Sequence, residues 1–525
     1  MMQFKKLSLI LAISSIGCVS DKKLSEAIIC GLDYAQGQMC GELTSSSVIL
    51  QSRLTCGREF IDGDIPGKEG MACFQISKNL AFPGYPQSQW VPAEDGPIHD
   101  VKSKGARSFA ENPDWQNYYK TPWIKVTQEN DFIIKQKLDN LRSGTRYYYR
   151  LLYGPDKNHI KAGRTCTFKT HDSPDVESKK SFVVVTGMNY YFFYYGAYSR
   201  RFAYEGSDRF LGFPALKIIL DLQPDFFVGT GDNVYYDHPG AEAVRAKTKA
   251  KLRAKWHEQF SRPRFREFFA QIPTYWEKDD HDFRYNDCDN TTDKPPGPEL
   301  GRKIFIEQLP IVAPQEKKPV TYRTHRVNKL LQIWLVEGRD YRSPNEMPDG
   351  PEKTLWGKEQ IKWLKETLLE SDAVFKILIS PTPLIGPDDG SMGKRDNHTN
   401  IKGFRYERDA FFKWLVEKGF PEKNFYIVCG DRHWQYHSIH PTGLEEFSCG
   451  ALVQANSRLG PRPGEPKSND PQGLIKQPHW QEEASAGFLK VTVEQGNSGN
   501  KPTIYFDFYD EFGESLYSHK KFVKD

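Results

Sequence analysis

Three short segments hold the side chains of this chain that can do chemistry together. Gly229-Thr230-Gly231-Asp232-Asn233-Val234-Tyr235-Tyr236 offers a carboxylate and phenols. Trp276-Glu277-Lys278-Asp279-Asp280-His281-Asp282, with Asn286 and Asp287 shortly after, offers several carboxylates and an imidazole. Gly430-Asp431-Arg432-His433-Trp434-Gln435-Tyr436-His437 offers a carboxylate and two imidazoles. Carboxylates brought close together repel unless a multivalent cation lies between them. A set rich in oxygen and poor in nitrogen suits hard ions such as Fe(III), Ca, Mg or Mn better than a structural zinc. Two ions about 3.5–4 Å apart activate a water and clamp the oxygens of a phosphoryl group during in-line displacement. The charge spread over that group in transit calls for a nearby cation. His281 is one candidate, and Arg339, in Trp334-Leu335-Val336-Glu337-Gly338-Arg339-Asp340-Tyr341-Arg342, is another.

Taken singly, each signal has a plainer meaning. A Gly-Asp after a strand is a turn, Asp279-Asp280 a helix cap or solvated turn, and His433 a hydrogen-bonded core histidine. Arg339 can pair structurally with Glu337 or Asp340. The shared setting favours a common site: each segment follows an apolar run, and ligands of α/β sheets gather at the carboxyl ends of strands.

Stepping outward to the supporting elements, residues 181–186, 226–229, 375–380 and 426–429 read as buried strands. Residues 211–222 and 356–370 read as helices between them. Strand and helix in alternation predict an α/β domain with a mixed central sheet. Residues 42–170 read as all-β, with strands over 47–54, 132–138 and 146–152 and turns at Asp139-Asn140 and Ser143-Gly144, the pattern of a sandwich. Residues 138–150 resemble a fibronectin type III-like strand pair. The polar stretch 170–181, with Pro174, marks the boundary. The expected division is a signal peptide over 1–17, an N-terminal β-sandwich domain over 26–175 and a catalytic domain over 176–525. The Pro- and Gly-rich stretch 460–477 reads as an exposed loop.

The chain of 525 residues, 38% hydrophobic and 13% aromatic, is no disordered protein. A net charge of +4 gives no electrostatic case for nucleic acid, which sets a nuclease aside. No run is apolar for the roughly 18–20 residues that a membrane span needs. Lys5 and Lys6 precede the apolar run 7–16 and then Gly17-Cys18, a secretory signal pattern. Its end resembles a bacterial lipoprotein cleavage box, with Ser15 where an aliphatic residue is usual; cleavage before Cys18 puts lipid on that sulfur. An ordinary secretory signal and a buried N-terminal segment are the other readings. An exported chain forms disulfides. Cys30, Cys40, Cys56 and Cys73 are the expected pairing set, and Cys429 and Cys449 are expected buried thiols.

Gly231-Asp232-Asn233-Val234-Tyr235, Asp279-Asp280-His281-Asp282 and Gly430-Asp431-Arg432-His433 resemble motifs of the metallophosphoesterase superfamily, and more closely its alkaline phosphatase D (PhoD-like) family. The resemblance extends to Leu355, Gly357, Gln360, Trp363-Leu364, Asp396-Asn397-His398, Gly403-Phe404 and Glu407-Arg408, and covers most of the chain beyond about residue 42. It implies an α/β, metallophosphoesterase-type layered β-sandwich flanked by helices, preceded by the smaller all-β sandwich. It implies metal ligands Asp232, Tyr235, Asp280, Asp431 and His433, with Asp232 bridging and Tyr235 on iron. His281 would stabilise the departing oxygen or transferring group, and Arg339 would hold phosphate. Two or more hard ions, Ca2+ and Fe3+, are the implied cofactors. Gly187 stands where the family has an iron-binding cysteine, so that ion loses a ligand, recruits Asn189 or water, or is a different ion. Asp396 or His398 would supply a missing ligand.

The expected function is an exported, periplasmic or cell-surface phosphoric ester hydrolase, alkaline phosphatase or phosphodiesterase, in which a metal-bound hydroxide attacks phosphorus. Its substrate is a small phosphate ester; it takes no nucleic acid, and it meets the membrane only through lipid on Cys18. The alternative is a catalytically altered PhoD-like scaffold that binds carbohydrate or lipid, with the aromatic run Tyr190-Tyr191-Phe192-Phe193-Tyr194-Tyr195 as its platform.

Overall fold

Successive side chains of a strand point to opposite faces, and in this chain that alternation sorts them between separate cores. In the computed structural model, which describes residues 30–80, 82, 119–197, 202–391, 393–496 and 501–524, strand Lys180–Val185 sends Phe182 and Val184 into one apolar cluster and Val183 and Val185 into another. Phe226–Thr230 divides the same way, with Phe226 and Val228 against Phe227. On the opposing sheet, Ile333, Ile377 and Val428 face the first cluster, while Trp334, Leu378 and Ile427 face a third. The first cluster is therefore the filling of a sandwich, and the other two are its outer faces.

Helices cover those outer faces. Pro214–Asp221, Lys249–Phe260, Pro263–Phe269 and Pro298–Gln308 place Leu216, Trp256, Phe265 and Phe305 against Val183, Phe227 and Trp276. Lys358–Glu370 and Arg405–Glu417 place Leu364, Leu368, Phe411 and Leu415 against Trp334 and Leu378. Parallel strands form the centre of both sheets: Lys180–Val185, Phe226–Thr230 and Thr274–Glu277 in one, Leu331–Leu335, Phe375–Ser380 and Phe425–Cys429 in the other. The α/β domain expected from the alternating elements is present, and it has the layered sandwich that the resemblance implies.

The N-terminal strands differ from expectation. Gln38–Gly41, Val48–Arg53 and Ile133–Leu138 run on as one edge of the nine-stranded sheet, past Thr274–Glu277. Leu50, Ile134 and Leu138 pool with Phe74, Tyr149 and Leu151 of a six-stranded sheet in the same cluster that holds Phe182 and Ile377. The smaller sandwich thus shares a layer with the larger one, and a self-contained fibronectin type III-like domain does not describe it. The junction is Gly41 opposite Thr274. A Cβ at Gly41 would lie 2.8 Å from the Thr274 carbonyl oxygen and 2.7 Å from that of Pro310, so only glycine lets the backbones meet.

Cys30 and Cys56 are disulfide-bonded, whereas Cys40 and Cys73 are buried free thiols, which corrects the expected set of four. Cys429 and Cys449 are buried free thiols as expected. Burial pushes the Cys73 thiol up to about 12. Within the expected exposed loop 460–477, Ser468, Asn469 and Asp470 are instead buried; Asn469 Oδ1 accepts from the backbone of Asp388 at 3.0 Å. Among the described residues no helix is long and apolar enough to cross a membrane. The expected signal peptide and Cys18 lie outside the described residues.

Candidate metal centre and active site

Glycines let three strand ends converge. Gly231 follows Phe226–Thr230 with φ of +77°, and a Cβ there would sit 2.5 Å from that of Asp279. At Gly430, after Phe425–Cys429, a Cβ would lie 2.4 Å from the Thr230 carbonyl oxygen. The next residue in each case, Asp232 or Asp431, takes a left-handed conformation, with φ of 55° and 57°, which aspartate tolerates better than most residues. The second segment is stitched to the first by Asp282. Its carboxylate accepts from Asn233 Nδ2 at 2.6 Å, from the Asn233 backbone at 3.1 Å and from the Asp279 backbone at 2.7 Å.

The structure brings Asp232, Tyr235, Asp280, His281 and His433 together. Asp232 Oδ2 accepts from the Tyr235 hydroxyl at 2.7 Å and lies 3.0 Å from His433 Nε2. Its Oδ1 is buried and has no hydrogen-bond partner among the described residues. Donor atoms of Asp232, Asp280 and His281 lie within 4.8 Å of one another, as do those of Asp280, Asp287 and Asp396. Asp431 borders the group, 3.4 Å from Asn397 Nδ2, and pairs with Arg432. His281 Nδ1 is paired with Asp237 Oδ1 at 2.7 Å.

This packing is electrostatically unbalanced. Burial, then the neighbouring Asp232 and Asp396, push the Asp280 carboxyl up against the pull of His281 and Arg339. Burial lifts Asp431 to about 6 despite Arg432, with Asp280 adding to the rise. Burial and Asp232 lift Asp282 to about 7. A carboxylate group that repels itself while presenting an orphaned oxygen is one that cations fit. His433 is driven well below the ordinary imidazole range by burial, then by Arg458 and His281, so its nitrogen is kept unprotonated.

Arg339 does not take the phosphate-holding place expected for it. Its side chain is fully buried. Nε and Nη2 reach Asp279 Oδ1 at 2.7 and 2.5 Å, Nη1 donates to Asp396 Oδ1 and the Cys288 carbonyl at 2.7 and 2.8 Å, and Nη2 donates to Asp396 Oδ2 at 2.9 Å. A guanidinium has five N–H groups, and each here has a protein acceptor. The guanidinium does not pair with Glu337 or Asp340, both of which bind Lys278; only the Arg339 backbone N–H donates to Glu337 Oε1, at 2.6 Å. Of the two guesses for a further ligand, Asp396 lies in the centre and His398 does not. His398 is bound to Glu407 at 2.9 Å and packed on Trp356.

The place of the expected cysteine is closed. Gly187 has φ of +65°, and a Cβ there would lie 2.9 Å from that of Ala451 and 3.2 Å from Asn456 Nδ2. That same Asn456 amide donates to the Tyr235 hydroxyl at 2.7 Å. Asn189 is committed elsewhere: its Oδ1 caps helix Tyr190–Tyr195 at Phe192, and its Nδ2 meets His238 Nδ1 at 2.6 Å. The aromatic run forms that helix: Tyr190, Phe192 and Phe193 are buried and pack as core, Tyr191 and Tyr194 are half-buried, and Tyr195 is exposed.

Sequence reasoning passed over Asp237, Asn456 and Asp388, which binds Arg432 beside Asp431. Asp388 joins Arg432 to Asn397, Thr399 and Asn400. Asp237 is within reach, directly after Tyr236, the last residue of the first segment; the others carry no local signal.

A model of the PhoD-like phosphatase family matches residues 182–499. The chain belongs to that family. This PhoD-like phosphatase is accordingly a phosphoric ester hydrolase and metal-dependent, as the cation-poor carboxylate centre also requires. Alkaline phosphatase D of Bacillus subtilis (strain 168) is 23% identical over 472 residues, covering 81% of this chain and 78% of that protein. Among solved structures, that of PhoD superposes with a TM-score of 0.68 at 16% identity, covering 94% of this chain and 90% of the other. A purple acid phosphatase from yellow lupin (Lupinus luteus) seeds gives 0.55 at 12% identity, covering 94% and 75%. Both have the fold found here.

Proposed function

We propose that this PhoD-like phosphatase hydrolyses small phosphate esters outside the cytoplasm, at the centre formed by Asp232, Tyr235, Asp280, His281, Asp431 and His433. The observation that carries the assignment to this centre is the buried Asp232 carboxylate, tied to Tyr235 and His433 through one oxygen, with the other oxygen unpartnered. Asp232, Tyr235, Asp280, Asp431 and His433 are the residues that would hold two hard ions, and such ions activate water and clamp phosphoryl oxygens.

The chain's own groups do the rest. Asp237 holds Nδ1 of His281, which leaves Nε2, 4.0 Å from Asp280 Oδ1, as the atom to donate to a phosphoryl or departing oxygen. Burial of the whole group strengthens each electrostatic contact that a bound ester makes. Arg339 and Arg342 both bind Asp396 and hold the loop beneath the centre in place. Without a thiolate at 187, the donors near Tyr235 are oxygen and nitrogen only. Calcium-class and ferric ions remain the proposed pair, the latter with fewer protein ligands than a cysteine-bearing site provides. Export rests on Lys5, Lys6, the apolar run to Ile16 and Cys18, supported by disulfide-bonded Cys30 and Cys56. Lipid on Cys18 is the proposed membrane attachment.

The test is turnover of p-nitrophenyl phosphate and of its bis-ester by the mature chain, alongside elemental analysis. Activity in the wild type with at least two ions per chain, and its loss in Asp232→Asn by about a hundredfold or more, is expected. Equal turnover by wild type and Asp232→Asn rejects the site.

A further inference from the structure

Away from the carboxylate centre, the edges of the two sheets come together in a cluster of different chemistry. His437 lies on strand Gln435–Ile439 and Glu445 on strand Glu445–Cys449, neighbours in the seven-stranded sheet. His519 lies on Ser515–Phe522, the edge strand of the nine-stranded sheet. His437 Nε2 and His519 Nε2 lie 3.0 and 3.7 Å from the same carboxylate oxygen, Glu445 Oε2, and all three donor atoms fall within 4.8 Å of one another.

We propose that His437, Glu445 and His519 form a second metal site, separate from the catalytic one, that takes a zinc-class divalent transition ion and staples the two sheets. Two imidazoles with one carboxylate suit borderline ions, unlike the oxygen-rich catalytic set. Tetrahedral zinc with ligand bonds near 2.0–2.1 Å separates its donors by about 3.3 Å, and the two measured separations from Glu445 fall on either side of that value. Nε2 of His519 is buried and has no hydrogen-bond partner among the described residues.

The surroundings hold the ligands as a metal site requires. The Tyr517 hydroxyl lies 3.1 Å from His437 Nδ1 and 3.3 Å from His519 Nδ1, so one phenol braces the far nitrogen of both imidazoles. Such outer contacts fix ring orientation and leave the inner nitrogen to the ion. Tyr517 is itself stacked on His479, with ring centres 4.4 Å apart, and His437 is stacked on Phe447 at 4.3 Å. Lys521 binds Glu445 at 2.8 Å, but through Oε1, and leaves Oε2 to the imidazoles. His519 retains 24% exposure of its side chain, which gives an ion a way in and a fourth position for water.

Full-length protein stripped with a chelator and then dialysed against micromolar Zn2+ provides the test. His519→Ala, and separately His437→Gln, should each bind one zinc per chain fewer than the wild type, while turnover of p-nitrophenyl phosphate at 25 °C is unchanged. Equal zinc content in wild type and variants overturns the proposal. Should the variants fail to fold, zinc-edge anomalous diffraction from wild-type crystals decides it: density among the three side chains is expected, and its absence leaves only an ion-paired contact between the sheets.

Discussion

The aspartates at the heart of this molecule fall into two neighbouring groups, and they are treated in opposite ways. Asp396 meets two guanidiniums, from Arg339 and Arg342, which overcome the upward push of burial and hold its carboxyl low. Asp280, Asp282 and Asp431 are as deeply buried, and there burial, with neighbouring carboxylates adding to it, pushes the carboxyls up, because the positive charge nearby is too little to offset it. The arginines belong to the scaffold, and the under-compensated carboxylates mark where the chain leaves room for cations. That contrast supports the proposed catalytic centre better than any one motif does.

The largest effect should come from the unbalanced side. Asp280→Asn removes a donor that lies close to both Asp232 and Asp287. It should lower phosphatase turnover by about a hundredfold or more while the urea midpoint stays the same or rises, because a repelling charge is gone. A fall in stability equal to the fall in activity would erase the distinction between the two groups.

Next comes the balanced side. Arg339→Met strands Asp279 in the interior and leaves Asp396 with Arg342 alone, and should cost about 3–5 kcal/mol in urea unfolding. Arg339→Lys should recover part of that loss, since one ammonium cannot replace a five-donor fork. If Arg339→Met instead kept wild-type stability and raised only KM, the arginine would be a substrate contact after all.

A smaller effect is expected at the empty cysteine position. Gly187→Cys must enter a left-handed backbone conformation against Ala451, so it should destabilise by about 1–3 kcal/mol. It should not raise the iron content found by elemental analysis. A gain of iron with unchanged stability would mean that Ala451 and Asn456 yield readily.

The smallest per pH unit is an effect in the scaffold. His171, fully buried and bound to the Tyr275 hydroxyl at 2.7 Å, is pushed down to about 3 by burial, with His325 and Lys180 adding to the drop and Asp172 opposing it. The unfolded chain therefore binds a proton near pH 6.5 that the folded chain refuses until about pH 3. Stability should be lost as pH falls across that window, by up to about 1.4 kcal/mol per unit for this one proton. His171→Gln should flatten that slope and leave the plateau above pH 7 level, as urea titrations at several pH values would register.

Much of this could be read from sequence because it is local. Runs such as Phe182-Val183-Val184-Val185 declare a strand buried on both faces, and Gly-Asp after a strand declares a turn that points a carboxylate at the sheet's end. The roles of Arg339 and of the N-terminal strands could not be read, because both depend on partners far away in the chain. Arg339 finds its acceptors 60 residues before it and 57 after, and nothing in its own segment distinguishes it from an arginine that meets substrate. Gly41 pairs with Thr274 across more than 200 positions, a junction that periodicity cannot reveal. Proximity in sequence groups Cys40 and Cys73 with the disulfide set, whereas pairing is decided by geometry.

The shared layer has a practical result for anyone who shortens this protein. A chain begun at residue 176 would lack Gln38–Gly41 and so bare the flank of Thr274–Glu277, the strand that delivers Asp280 and His281. Naked strand flanks recruit other molecules. Such a fragment should self-associate along the very ribbon that carries its chemistry, so the leading third of the polypeptide acts as a built-in guard against clumping.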